Sequence, residues 1–399
     1  MPSAVAAPLP ALAARMGRIT VSATAAMVME AERLRAAGAD LVDFGAGEPD
    51  FPTPEPIKQA AREALDANFT RYTATGGIAP LKDAICRRHA KLCGSRFTRE
   101  QVLVTLGGKH ALFNTISALI SAGDEVLLPS PYWVSFHDMI TYAGGTPVIV
   151  PTDEAAGFTL SPDMLASRLT PRTRMILLNS PGNPSGAVFS RELFQAALEL
   201  CRERGLWLLS DECYLQFVYD GAPYSVAGEP GPQDNLIIAG SLSKTYAMTG
   251  WRLGYALGPK PVIAAMLNLQ SHSTSNPVSF VQKAALAALT GSQQPVTDML
   301  AEYRRRRTLM IEGLRAIPGI SCTLPQGAFY AYPNITRLLR PGAATPMEFS
   351  TRLLHEAGLV TVPGEAFGTS GHLRLSYATS AAQIEKGLDR LRRFCAGLA

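Results

Sequence analysis

Between about residues 100 and 260, short apolar runs alternate with stretches of helical period: "QVLVTL", "EVLLP", "PVIVP", "RMILLN", "LWLLS", "NLIIAG" and "RLGYALG" are the apolar members. Strands separated by helical segments predict an α/β fold, a mostly parallel seven-stranded sheet flanked by helices. Several runs lack a polar alternate, the pattern of strands covered on both faces. From about residue 292 the pattern changes to longer amphipathic helices, "VTDMLAEYRRRRTLMIEGLRAI", "TPMEFSTRLLHEAGL" and "AAQIEKGLDRLRRFCAG". Short strands lie between them, "GAFYAYP", "LVTVPG" and "HLRLSYA", which predicts a smaller α+β domain. The expected division is an arm over 1–14, a small domain from 15–47 with 292–399, and a large domain over 48–291.

Each of five core strands runs into a polar cluster: "GGKHALF", "SPYWVSF", "NSPGNPSG", "SDECY" and "SLSK". In an open α/β sheet, ligands sit beyond the carboxyl ends of the strands, so these clusters should converge on one site.

Charge narrows the partners. The net charge is +4 and the basic residues are dispersed, their densest run being Arg304 to Arg307, expected on the solvated face of a helix. Nucleic acid is not an expected partner. The six cysteines show no CxxC pair and no metal-ligand spacing, which points to reduced thiols, a cytoplasmic location and no metal. The first stretch lacks a basic leader and is broken by Pro2, Pro8 and Pro10, against a signal peptide. No run is apolar enough for a spanning helix, and no membrane association is expected.

The clusters carry specific chemistry. In "SLSKTYAMTGWRLGY", Lys244 follows a buried strand between hydroxyls, with Arg252 eight residues on. A lone lysine is ordinarily a solvated amine, but one that is desolvated and near another cation has a lowered pKa and becomes a nucleophile for Schiff-base chemistry. Ser241, Ser243 and Arg252 add donors and a fixed positive charge suited to phosphate. "VTLGGKHALF" is strand, glycine turn and helix, either a plain turn or a phosphate-binding helix start. Asp211 of "SDECY" is a candidate helix N-cap or a site carboxylate, with Tyr214 on the same side. Asn183 precedes Pro184 in a turn, and Trp133 suits either core packing or coverage of an aromatic ring. A phosphate cup, a carboxylate, polar partners for a ring oxygen, a stacking aromatic and a reactive lysine together describe a pyridoxal phosphate site.

These motifs, with "GAGEPDFPTP" and "HLRLSYATS", resemble those of class I, fold-type I pyridoxal-phosphate aminotransferases, nearest the bacterial aspartate aminotransferase branch. The resemblance runs in order from about residue 15 to the end. It implies that Lys244 binds the cofactor covalently, that Asp211 pairs with the ring nitrogen, and that Asn183 and Tyr214 hold the ring oxygen beneath Trp133. It further implies that Gly108, Lys109, Ser241, Ser243 and Arg252 meet the phosphate, joined by Tyr72 from the other subunit of a homodimer. Gly47, Lys109, Trp133, Asn183 and Arg374 would receive the amino acid and 2-keto acid substrates, with Arg374 on the α-carboxylate. A lysine at position 109 in that branch contacts the distal carboxylate, so aspartate and glutamate with 2-oxoglutarate and oxaloacetate are the expected substrates. Aromatic or prephenate-type substrates come next, and a pyridoxal-phosphate lyase would share almost every motif. Thr20 and Val21 stand where relatives often carry lysine and proline before "SAT", which puts in doubt any dicarboxylate contact from that segment. A ligand-sensing regulator would need a DNA-binding segment, and the residues before "GAGEPD" hold no helix-turn-helix pattern.

Overall fold

The computed structural model describes residues 11–19 and 23–398. Thr20, Val21 and most of the expected arm lie outside them. The seven apolar runs form one sheet: β1 (Val102–Thr105), β2 (Glu125–Ser130), β3 (Thr146–Pro151), β4 (Thr173–Asn179), β5 (Trp207–Asp211), β6 (Leu236–Ser241) and β7 (Gly254–Leu257). Their spatial order is β1-β7-β6-β5-β4-β2-β3. β7 runs antiparallel to both β1 and β6, and the other pairs are parallel.

The period of two sends alternate residues to two separate cores. Leu127, Ile176, Leu208 and Ile238 enter one, while Val126, Leu177, Leu209 and Ile237 enter the other. Helices on both faces complete them, which is why the sequence of each strand reads as continuously apolar.

A third core gathers the C-terminal elements. Helix Gln294–Arg315 packs on Ala381–Gly397, and the short strands Tyr330–Ala331, Val362–Pro363 and Leu373–Ser376 form a three-stranded antiparallel sheet. Helix Ala23–Ala36 joins this region through Met27 and Ala31, which pack with Leu354 and Val360. The turn Ala14–Arg18 instead lies on helix Ser135–Ala143, with the Thr141 hydroxyl donating to the Arg18 carbonyl.

Half of the arginine run departs from its expected solvated face, on which Arg304 and Arg305 remain exposed. Arg306 and Arg307 are buried, because they fall on the same helical stripe as Met299, Tyr303, Met310 and Leu314. Arg306 meets Asp50 and Glu302, and Arg307 meets Asp220, so their charges are neutralised where they are desolvated. All six cysteines are free thiols. Among the described residues no helix is long and apolar enough to cross a membrane.

Candidate active site

The polar clusters converge as the sheet topology requires, around an open cleft of about 840 Å³. Gly47, Gly108, Lys109, Trp133, Asn183, Asp211, Tyr214, Ser241, Ser243, Lys244, Arg252 and Arg374 all line it. Tyr72 does not, and stands 91% exposed on the outer surface.

The floor comes from the ends of β4, β5 and β6. Asn179 and Asp211 are direct register partners, so the strand ends bring them side by side. The Asn179 amide donates to the Asp211 carbonyl at 3.3 Å and accepts from the Asn183 N–H at 3.0 Å, tying the two candidate segments together. The Asp211 carboxylate accepts the Cys213 N–H at 3.0 Å, an alternative to capping a helix. Burial raises Asp211 to about 6. A cationic partner brought beside it would favour the ionised form. The neighbouring Glu212 is also buried, accepting from Ser225 at 2.6 Å, and its charge adds to the rise at Asp211.

Lys244 follows β6 in a tight turn, and its Nζ donates to the Gly47 carbonyl at 2.5 Å. Burial lowers its pKa to about 8, and the charges of Arg374 and Arg252 act in the same direction. About a tenth of this amine is therefore unprotonated at pH 7, far more than for a solvated lysine, as a nucleophile requires.

Close backbone approach shapes the neighbouring wall. Gly107 has φ +87°, and a Cβ there would lie 2.7 Å from the Arg252 guanidinium. A Cβ on Gly108 would lie 2.7 Å from Cys213 Sγ. These glycines let the guanidinium, Ser241 and the first N–H groups of helix Gly108–Leu119 crowd together, a cup of donors for an anion. Lys109 is an exposed residue at the cleft with Nζ 4.9 Å from the centre of the Trp133 ring, and partial desolvation of its amine and the Arg252 charge lower its pKa. Trp133 also packs edge-on against Phe136, so it serves both the core and the cleft wall.

Arg374, on strand Leu373–Ser376, is 4% exposed. Its Nη2 donates to the Gly45 carbonyl at 2.6 Å and its Nη1 to Asn183 Oδ1 at 3.2 Å. Its Nε is buried without a hydrogen-bond partner among the described residues. A buried guanidinium with a spare donor and no carboxylate partner is prepared for an incoming anion.

A family model for class I and II aminotransferases matches residues 39–391. The chain belongs to this family. The aminotransferase is 42% identical over 386 residues to the aspartate aminotransferase of Geobacillus stearothermophilus, covering 96% of this chain and 98% of that one. It is 43% identical to the aspartate/prephenate aminotransferase of Cereibacter sphaeroides, with the same coverage. Its fold matches the aspartate aminotransferase from Thermus thermophilus with maleate at a TM-score of 0.92, with 41% identity over 96% of this chain and 100% of that chain.

Several cleft residues of the aminotransferase escape sequence reasoning. Glu32 and Arg35 reach the mouth from helix Ala23–Ala36, which only tertiary packing brings there. Tyr330 donates to or accepts from the Tyr214 hydroxyl at 2.7 Å, and burial raises both phenols. A tyrosine in the apolar strand "GAFYAYP" carries no local sign of that role. Glu48, which accepts from the Thr249 hydroxyl at 2.6 Å, adjoins Gly47 in "GEPD" and was accessible from that adjacency.

Proposed function

We propose that the cleft holds pyridoxal 5′-phosphate and that the aminotransferase exchanges amino groups between aspartate or glutamate and oxaloacetate or 2-oxoglutarate. The donor set fits the cofactor: a reactive half-buried amine, a buried carboxylate and a cup of N–H, hydroxyl and guanidinium donors share one cleft. The observation that carries the reading is the half-buried Lys244 amine, donating to the Gly47 carbonyl in the cleft that Asp211 also lines and lowered to about 8. When bound, pyridoxal phosphate supplies an aldehyde that joins to an amino group and a ring that draws electrons from the substrate's α-carbon.

This chain's residues perform the remaining work. Lys244 would hold the cofactor and, as a free amine, would take and return the substrate's α-proton as general base. Asp211, ionised, would pair with the protonated ring nitrogen, Asn183 and Tyr214 would donate to the ring oxygen, and Trp133 would cover the ring. The backbone N–H groups of Gly108 and Lys109, with Ser241, Ser243 and Arg252, would hold the phosphate, joined by Tyr72 from a second copy of the chain. The outward exposure of Tyr72 supports that homodimeric arrangement. Arg374 orients the α-carboxylate beside Gly47, through the second N–H of Nη1 and of Nη2, each of which gives only one to the protein. The Lys109 ammonium, over the Trp133 face, receives the distal carboxylate.

A second reading, aromatic or prephenate-type substrates, is favoured by the apolar cleft residues Val28, Met29 and Leu112 and by the aspartate/prephenate relative. The test is a substrate panel with 2-oxoglutarate as acceptor. Aspartate should give oxaloacetate with the highest kcat/KM; a preference for phenylalanine, or for prephenate as acceptor, would select the second reading. Loss of substrate carbon or ammonia without a matching keto acid and amino acid would indicate lyase chemistry.

A further inference from the structure

Residues 44–53 run past both principal cations of the cleft. The Gly47 carbonyl accepts from Lys244 and the Gly45 carbonyl from Arg374, yet the residues from Phe44 to Asp50 belong to no helix or strand. Such a loop takes its position from its anchors. At one end the Phe44 N–H donates to the Val360 carbonyl at 3.0 Å, and the Phe44 carbonyl accepts from the Ser376 N–H at 2.7 Å. Beyond the cleft, Thr53 bonds the Ala247 carbonyl at 2.5 Å and accepts from Trp251 at 3.0 Å.

Between these anchors sits Asp50. Arg306 Nη1 lies 2.8 Å from each of its carboxylate oxygens, Arg306 Nε donates to Glu302 at 2.8 Å, and the Tyr303 hydroxyl donates to Asp50 at 3.1 Å. The guanidinium is 7% exposed and lies 5.1 Å from the Phe51 ring centre. A loop held only for stability could be held by apolar packing without desolvating an arginine. A guanidinium spanning two carboxylates instead fixes distance and direction, which a lysine ammonium cannot reproduce.

We propose that Asp50 and Arg306 are positioning residues, whose bridge to Glu302 through the buried Arg306 guanidinium sets Gly45 and Gly47 against Arg374 and thereby shapes the pocket for the substrate's α-carboxylate. The inference rests on the reading of Arg374 given above. Every substrate carries an α-carboxylate, so the bridge governs affinity for all of them and leaves selectivity alone. The cofactor's proposed contacts come from other elements, the strand ends and helix Gly108–Leu119.

The test uses Asp50→Asn and Arg306→Lys in the dimeric holoenzyme, with Arg374→Lys alongside. We expect KM for aspartate and for 2-oxoglutarate, and the calorimetric Kd of maleate, to rise about tenfold together, with kcat falling less than about threefold and the cofactor absorbance unchanged. Tyr303→Phe removes one hydrogen bond to Asp50 while keeping the aromatic packing, and should raise the same constants about twofold. Folded Asp50→Asn and Arg306→Lys proteins with unaltered KM would overturn the proposal, as would a KM rise that merely follows loss of thermal stability and bound cofactor. If neither variant folds, an unaltered KM in Tyr303→Phe overturns it. If Arg374→Lys changes no KM, the reading of Arg374 fails; if it raises KM while the bridge variants do not, only the present inference fails.

Discussion

At the floor of the cleft, Asp211, Ser241 and Lys244 leave the ends of strands buried on both faces, whereas at its mouth Gly47, Glu32 and Arg35 come from a loop and a helix with few apolar anchors. The floor is placed by two cores that a change of one polar side chain leaves intact. The mouth is placed by hydrogen bonds and ion pairs, among them Arg306 to Asp50 and Arg35 to Asp43. On the proposed roles, chemistry and recognition have different supports, which meet where Lys244 donates to the Gly47 carbonyl. Floor substitutions should act on kcat at preserved structure, and those on the substrate side on KM and selectivity.

The largest effect should come from the floor. Lys244→Ala removes both the cofactor's anchor and the base, and kcat should fall by about 10⁴-fold or more, with cofactor partly retained by the remaining contacts. Full activity in steady-state assays would break the division at its strongest point. Next, Arg374→Ala strips the α-carboxylate of its buried partner and should cost about 2 to 5 kcal/mol in kcat/KM for every substrate, most of it in KM. A loss confined to kcat would instead place Arg374 with the chemistry.

Lys109→Ala sharpens the comparison, because Lys109 begins on the floor's helix yet faces Trp133. It should cost on the order of 1 to 3 kcal/mol in kcat/KM for dicarboxylates and much less for alanine-like or aromatic substrates. Equal losses for all would assign it to the cofactor. The smallest expected effect concerns pH. Lys244 reacts as the free base, and burial puts its pKa at about 8, so cofactor capture by the cofactor-free protein should accelerate about tenfold from pH 7 to 9 and level above about pH 9. Continued acceleration to pH 10, followed by absorbance, would show a lysine without the burial seen here.

Legibility in the sequence follows the same boundary. All seven strands were readable, since burial on both faces leaves uninterrupted apolar runs, and each floor residue follows one of them directly. Arg306 and Arg307 were misplaced because a run of four arginines masks the three-and-four spacing of Met299, Tyr303, Met310 and Leu314, which carries it into the core. Glu32, Arg35 and Tyr330 were not readable. Their places in the cleft depend on how distant segments dock, and no local spacing encodes that. Tyr72 was singled out only through resemblance, and its exposure in one chain explains why residue chemistry alone offered nothing.

The central claim is that Lys244 is the amine that holds the cofactor. Borohydride reduction of the yellow holoenzyme, followed by proteolysis and mass spectrometry, tests it most directly. The account predicts one stoichiometric cofactor adduct per chain, on the peptide containing Lys244, and its loss in Lys244→Ala. An adduct on Lys109 or another lysine, with Lys244 unmodified, would contradict it.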